Sequence, residues 1–376
     1  MTNVAQMNET GKNIFCPIDL HQNKMMVGIA TDRGRPAFKE YDTDWLGGVE
    51  RLVARLHLLR ERNPGAEVWV AYEASGCGFR LADLMEEQGF RVAVLAPTNL
   101  PVTPRSRTNK TDKKDVVRIL EVLRGHVLAG NRLPEVWIPP QELRDDREVV
   151  RRRLAVAEQL ADVKNKILGL LRRYGLPRPE NMANNWTKKH VRWLHSVVTE
   201  LEWGAGRALA SLLRELEFYW GECEAVEREV NALAGHDRYR TRVAALTSFK
   251  GVAPLTAMVF LTELGDLDRF PNRRALGNYL GLTPRSWESG EQTDRKGRIS
   301  KQGPSRVRKV LNQAAWSLVR WDPAWKARYE SLVESSKRKK KAKGKRKAIV
   351  AVMRLLGIAL WRTALETGPA PAMAAA

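Results

Sequence analysis

The chain has 376 residues, 43% of them hydrophobic, and carries 64 Lys and Arg against 43 Asp and Glu, a formal net charge of +21. That apolar content supports two or three domains with their own cores and excludes a chain disordered throughout. The charge favours polyanionic partners, nucleic acid before an anionic membrane surface.

The polar N-terminus, MTNVAQMNETGKN, has no signal-peptide core. Three short apolar runs follow, at 14–18, 25–31 and 36–41, separated by polar or glycine turns, and they predict a strand meander. A helix is predicted over 44–62, with Trp45, Val49, Leu52, Val53, Leu56 and Leu59 at helical spacing. A strand at 67–72, a helix at 79–88, a strand at 91–95 and a helix at 113–123 complete the order βββαβαβα, which is that of the ribonuclease H fold. Pro17 inside the first strand removes a ladder donor, so an edge or bulge is expected there.

Carboxylates fall at telling places on this framework. Asp19, in PIDLH, ends the first strand, and Glu73, in VAYEASG, ends the fourth. Asp112 and Asp115, in KTDKKD, are three apart at a helix start and project from one face. Four carboxylates from these positions can share one site, and hard oxygen ligands without histidine or cysteine select Mg²⁺, with Mn²⁺ as the alternative. Taken singly, each has a plainer role: Asp112 as a helix N-cap, Asp115 as a solvated helix residue, Asp19 and Glu73 as surface acids.

In the middle, Val156, Leu160, Val163, Ile167, Leu170 and Tyr174 recur at steps of four and three, a heptad seam that should end at Gly175. A second seam runs through Leu209, Leu212, Leu216, Tyr219, Cys223, Val226, Val230 and Leu233. Matching seams suggest a coiled-coil hairpin, an oligomer contact or ordinary core packing. Arg151, Arg152, Arg153, Lys164, Lys166, Arg172 and Arg173 read as a solvated face.

The segment LTSFKGVAPLTAMVFLTELG resembles a helix-hairpin-helix whose turn at Gly251 offers N–H groups to a phosphate, or a plain helical turn. Next comes NYLGLTPRSWESGEQTDRKGRISKQGPSRVRKVL, glycine-rich and basic. Gly281, Gly290, Gly297 and Gly303 would let backbone approach a ligand, and Arg285, Arg295, Lys296, Arg298, Lys301, Arg306, Arg308 and Lys309 would meet phosphates. Lys110, beside the acidic pair, joins this set. Ser286, Ser289, Ser300 and Ser305 are each, on residue type alone, turn residues or hydrogen-bond donors. The late apolar run 349–361 is interrupted by Arg354 and Gly357, so no membrane span is expected. Cys16, Cys77 and Cys223 lie far apart, which excludes a disulfide framework or zinc knuckle and fits a reducing cytoplasm.

The charge is uneven. Residues 1–100 hold 11 basic and 13 acidic side chains, net −2, whereas residues 269–309 hold 11 and 3, and KRKKKAKGKRK at 337–347 holds nine basic and no acidic ones. The first hundred residues are therefore not the polyanion-binding surface.

With these residues assembled, the chain resembles the transposases of the insertion-sequence family called IS one-ten, which includes Piv-type DNA invertases. The resemblance rests on Asp19, Glu73 and KTDKKD for the acidic tetrad, and on a serine before a glycine after GLTPR, which is Ser289. It implies a RuvC-like catalytic domain at 1–140, a coiled-coil spacer at 141–236, a mainly helical C-terminal transposase domain at 237–330, and a basic tail with a terminal helix at 331–376. It further implies divalent-ion chemistry at Asp19, Glu73, Asp112 and Asp115, and Ser289 as a nucleophile that forms a covalent phosphoserine link. The implied partners are donor and target double-stranded DNA, a structured noncoding bridge RNA as guide, and further copies of the chain as a homodimer or homotetramer in the bacterial cytoplasm, at the nucleoid. Val116 stands where the family often has a small residue. A hydrolytic nuclease or Holliday junction resolvase would use the same carboxylates on water, and a non-catalytic nucleic-acid-binding protein would need only the charge and the helices.

Overall fold

Alternation of side chains along the first strand sets the architecture of the N-terminal third. In the computed structural model, which describes residues 12–44, 47–100, 111–289, 292–338 and 344–368 (side chains of 286–289, 292–296 and 336–338 excepted), the chain forms two units, Met1–Ile138 and Pro139–Ala376. In the first unit, strands β1 (Asn13–Leu20), β2 (Lys24–Ile29) and β3 (Ala37–Asp42) form the expected meander. Helix α1 (Gly48–Arg62), strand β4 (Glu67–Glu73), helix α2 (Arg80–Glu87), strand β5 (Arg91–Leu95) and helix α3 (Asp112–Ala129) follow. The sheet order is β3-β2-β1-β4-β5, with β2 antiparallel to both neighbours and β1, β4 and β5 mutually parallel.

Both faces of the sheet are covered over β1, β4 and β5, whereas β3 is mostly exposed. Ile14, Cys16 and Ile18 of β1 and Val68, Val70 and Tyr72 of β4 join Leu52 and Leu56 of α1 and Leu81 and Met85 of α2 in one core. Phe15, Ala71 and Ala93 point the other way, into a core with Ile119, Leu120 and Leu123 of α3. Strands covered on both sides read as continuous apolar runs, which is why VWVAY and RVAVL carry no polar alternation. Helix α3 runs six residues beyond the end that its apolar spacing predicted, and Arg124 on it donates to Thr31 O (3.2 Å) and Gly34 O (3.0 Å), tying it to the loop after β2.

Pro17 departs from expectation: it lies in a central strand, not at an edge. It pairs with Ala71 on the β4 side, while the ladder to β2 lapses between the Phe15–Ala30 bridge and Ile18–Val27. The missing donor thus falls opposite Gly28. At Gly28 a Cβ would stand 2.6 Å from Val116 Cγ1, so glycine is what lets α3 lie this close to β2. Val116, fully buried, fills the space a side chain at 28 would take, and its contact seats the first turn of α3.

Among the described residues, the regular structure of the second unit is helical apart from one hairpin. Helices α4 (Gln141–Arg173), α5 (Lys188–Glu200) and α6 (Trp203–Ala234) pack around Val156, Leu160, Val163, Ile167, Leu194, Leu209, Leu216 and Cys223. The two predicted seams therefore face each other within the chain. Ion pairs from Arg153 to Glu227 and from Arg152 to Glu222 set α4 and α6 side by side. The polar face of α4 is not simply solvated: Lys164 lies 4.9 Å above the Trp220 ring, and Arg151 grips the buried Glu263 through Nε (2.9 Å) and Nη2 (3.1 Å).

Helices α7 (Arg240–Thr247) and α8 (Pro254–Leu264) flank the Gly251 turn, and α9 (Arg273–Tyr279) precedes the antiparallel hairpin of β6 (Pro284–Ser289) and β7 (Gln292–Ile299). Helices α10 (Ser305–Trp321), α11 (Pro323–Arg338) and α12 (Gly344–Glu366) complete the unit. Helix α8 is buried on all sides from Ala257 onward, so its terminal carbonyls need internal donors. Arg147 supplies them to Thr262 O and Glu263 O, Tyr279 Oη to Glu263 O, and Arg269 to Leu264 O. Helix α12 is long and apolar enough to cross a bilayer by length and composition alone. Ile349, Val352, Met353, Leu356, Leu360 and Trp361 on it are instead core residues. At roughly 1.5–3 kcal/mol per buried large side chain, removing them would forfeit on the order of 10 kcal/mol, so the helix belongs to the core.

Candidate metal centre and the serine hairpin

Asp19 and Glu73 are placed by the sheet. β1 and β4 are parallel and paired through Ile18–Tyr72, so the next residues on each strand are neighbours at the strand ends. There the chain diverges, β1 turning back into β2 and β4 running on toward α2, which opens a crevice of the kind that binds ligands in parallel sheets. Asp112 and Asp115 are placed by α3. Thr111 is its N-cap, so Asp112 is the first helical residue and not the cap, and both acids lie in the first turn, where the helix dipole favours negative charge.

The side chains converge. Asp19 Oδ2 lies 3.2 Å from His21 Nε2, which lies 3.8 Å from Asp112 Oδ1, and these three residues offer ligand atoms all within 4.8 Å of one another. Burial raises the Asp19 carboxyl above its ordinary range; His21 opposes this, and the charges of Asp115 and Asp112 add to it. Glu73 and Asp115 meet through Arg118, whose Nη2 donates to Glu73 Oε1 and lies 3.1 Å from Asp115 Oδ1. All four carboxylates of the sequence reading thus belong to one neighbourhood.

Two residues escaped that reading. His21 was visible in PIDLH, yet the donor set was expected to hold oxygen alone; the hairpin turn after β1 brings its imidazole between Asp19 and Asp112. Arg118 lies one turn beyond Asp115 and could have been found from the i, i+3 spacing. The donor set suits a divalent cation. Burial first, and then the neighbouring Asp115 and Asp112, disfavour the charged Asp19, which leaves room for positive charge, and an imidazole among the carboxylates makes Mn²⁺ the better match than the harder Mg²⁺.

Ser289 is the last residue of β6, paired with Gln292 across the hairpin end, so part of the glycine-rich basic segment is a two-stranded ribbon. Its base is fixed to the unit. Gly281 and Gly303 have positive φ of 65° and 79°, and a Cβ on either would stand 2.1 Å from Gln302 O or 1.8 Å from Tyr279 O. The close approach that these two glycines permit is to the chain's own backbone. Gly251 does likewise, since a Cβ there would stand 2.6 Å from Ser317 Cβ.

The candidate phosphate-binding side chains divide by what already holds them. Arg308 Nη1 donates to Leu280 O, Gln302 O and Gly303 O at 3.0–3.2 Å, and its pKa is lowered by burial. Lys309 pairs with Glu158 at 2.7 Å, and Arg306 lies 3.9 Å from Glu263. Arg285 donates to Ser300 O at 3.2 Å, and with Arg298 and Lys301 it is exposed along the hairpin and its base. The side chains of Ser289, Arg295 and Lys296, and all of Lys110, lie outside the described residues.

Known proteins share both regions. A family model described as Transposase, for the DEDD type of IS110, matches residues 16–176, and one described as Transposase IS116/IS110/IS902 family matches 243–330. The chain is 29% identical over 380 residues to a putative transposase, y4qE, of Sinorhizobium fredii, covering 94% of this chain and 89% of the relative. It is 30% identical over 260 residues to a probable family 20 transposase of Pseudomonas aeruginosa, covering 67% and 71%. It is 23% identical over 312 residues to the transposase for insertion sequence element IS1533 of Leptospira borgpetersenii, covering 81% and 85%. The first match spans all four clustered carboxylates and the second spans the serine hairpin, and on these grounds the chain belongs to the IS116/IS110/IS902 family of transposases, enzymes that cut and rejoin DNA.

Proposed function

We propose that this chain moves an insertion sequence by covalent serine chemistry, with a RuvC-like N-terminal domain as its metal centre and a structured bridge RNA choosing donor and target DNA. The observation that carries the reading is the convergence of Asp19, Glu73, Asp112 and Asp115 at the ends of β1, β4 and α3. The strand order β3-β2-β1-β4-β5, with its covering helices, is the one the ribonuclease H reading requires. In this reading residues 1–140 are catalytic, 141–236 a spacer, 237–330 the transposase domain, and 331–376 a basic tail and terminal helix. The protein works on the nucleoid in the cytoplasm, as a dimer or tetramer that brings several strands together.

Asp19, Glu73, Asp112 and Asp115, with His21, would hold Mg²⁺ or Mn²⁺. When bound, the ion supplies Lewis-acid stabilisation of charge on the phosphodiester. Ser289 Oγ attacks the phosphorus: a P–Oγ bond forms, one P–O bond to a sugar breaks, and the sugar oxygen leaves as a hydroxyl with the proton the serine gives up. One phosphodiester is exchanged for another, so religation needs no external energy source. The exposed Arg285, Arg298 and Lys301 offset phosphate charge, as would Arg295 and Lys296, which neighbour them in sequence, and Lys110, two residues before Asp112 in sequence.

The test is an adduct assay with Mg²⁺, donor and target DNA and the guide RNA. A protein–DNA adduct that survives denaturation and is absent in both Ser289→Ala and Asp19→Asn is the expected result. Cleavage that persists in Ser289→Ala would assign the carboxylates to water activation, as in a resolvase. Full activity in Glu73→Gln and Asp115→Asn would leave only nucleic-acid binding.

A further inference from the structure

The acidic cluster has two unlike halves. Asp19, His21 and Asp112 face one another directly, and Asp112 is exposed. Glu73 and Asp115 are bridged by one guanidinium nitrogen, Arg118 Nη2. Asp115 is buried, so its charge needs a cation if the fold is to stand before any ion arrives. Arg118 supplies that cation from the same helix face, one turn away. Its Nε is buried and makes no hydrogen bond among the described residues, so the guanidinium is held by part of its donor set.

We infer that Arg118 is a built-in counter-ion, holding Glu73 and Asp115 in place and yielding them to a divalent ion, so that it sets the affinity of this half of the centre. The inference rests on the reading of the cluster as a metal centre. A guanidinium and a divalent ion cannot share the same carboxylate oxygens, because like charges at contact distance repel strongly away from bulk water. One cationic nitrogen makes both contacts, so a lysine ammonium, a point charge with three donors, can stand in for the guanidinium. Arg118 is thus a positioning residue: it holds both acids beside each other and raises the ion concentration needed to fill this half of the centre.

The experiment is Mn²⁺ titration by calorimetry, with unfolding followed in EDTA and in saturating Mn²⁺, on the full chain and its Arg118→Met, Arg118→Lys and Asp19→Asn variants. Arg118→Met should bind Mn²⁺ about tenfold more tightly or better, because one positive charge has left the site. It should also unfold earlier in EDTA and recover in Mn²⁺, whereas Arg118→Lys should stay near the parent. Mere structural damage would weaken ion binding, so the direction of the change is decisive. If Arg118→Met fails to fold without ions, rescue by Mn²⁺ supports the inference and lack of rescue overturns it. Unchanged or weaker Mn²⁺ binding in folded Arg118→Met, with binding lost in Asp19→Asn, overturns the counter-ion role and leaves the metal centre standing. Binding unaffected by Asp19→Asn overturns both.

Discussion

The two units handle charge in opposite ways. The N-terminal unit is close to neutral over its first hundred residues yet gathers four carboxylates in two adjoining groups, each fixed by a strand end or a helix start that the cores hold in place. The C-terminal unit is strongly basic, but much of that charge is spent internally. Arg147 and Arg269 cap α8, Arg151 holds Glu263, Arg238 and Tyr239 share Asp146, and Arg308 ties down the base of the hairpin. Net charge along a sequence is therefore not the charge offered to a polyanion. The difference extends to the candidate reactive groups: the carboxylates sit at strand ends of a five-stranded sheet and on the helix packed against it, whereas Ser289 ends a strand of a two-stranded ribbon, a structure that is marginal by itself in water.

If the acids form the preassembled half of the chemistry and the serine the other, substitutions should separate them. Asp115→Asn should reduce strand cleavage about 10³-fold, with Mn²⁺ affinity falling alongside it in calorimetry. Ser289→Ala should abolish the covalent adduct and leave Mn²⁺ affinity unchanged. A Ser289→Ala protein that loses ion binding as well would break the separation. At the hairpin base, Gly303→Ala forces a left-handed residue to carry a side chain against Tyr279 O, and should cost about 3 kcal/mol in urea unfolding. The same change should leave Mn²⁺ binding intact, since it touches the second unit alone.

Much of this was legible in the sequence where a local pattern and the tertiary demand agree. The strand meander, the strands β4 and β5 and the acidic pair at the start of α3 follow from apolar runs and helix-start chemistry. Pro17 misled, because proline is excluded from a central ladder only where its missing N–H has a partner waiting, and the lapse opposite Gly28 removes that partner. The hairpin also misled. SWESG and QTDRKGRI are rich in polar and glycine residues, and their strand character comes from pairing with each other, not from an apolar face. His21 and Arg118 escaped for a third reason: a ligand or counter-ion is defined by who meets whom across elements, and periodicity within one element does not carry that. The arginines of α4 looked solvated because their partners, Glu263 and Glu227, lie 112 and 74 residues away in sequence.

The seating of α3 gives a smaller and more local test of the preassembled half. Gly28→Ala places a methyl 2.6 Å from Val116 Cγ1, an overpacking that should cost about 1–3 kcal/mol and weaken Mn²⁺ binding by shifting Asp112 and Asp115. Adding Val116→Ala should restore most of the stability and the ion affinity. No recovery in the double variant would mean that the β2–α3 contact does not aim the acids.

The smallest effect tests the electrostatics of the cluster itself. Burial and the neighbouring Asp115 and Asp112 raise the Asp19 carboxyl, so its charged form is disfavoured in the folded state. The folded protein then binds the proton more tightly than the unfolded chain does. Its contribution is fully favourable below the ordinary carboxylate range, declines as pH rises from that range through the raised value, and stays unfavourable at neutral pH. Asp19→Asn removes that penalty. In EDTA at neutral pH the variant should unfold a few degrees above the parent, and the two should converge as pH drops below the ordinary carboxylate range. Saturating Mn²⁺ should reverse their order, because only the parent keeps the full donor set. A parent that gains on Asp19→Asn as pH rises in EDTA would mean that Asp19 is favourably paired in the empty cluster, and the charge deficit that suits a divalent ion would be gone.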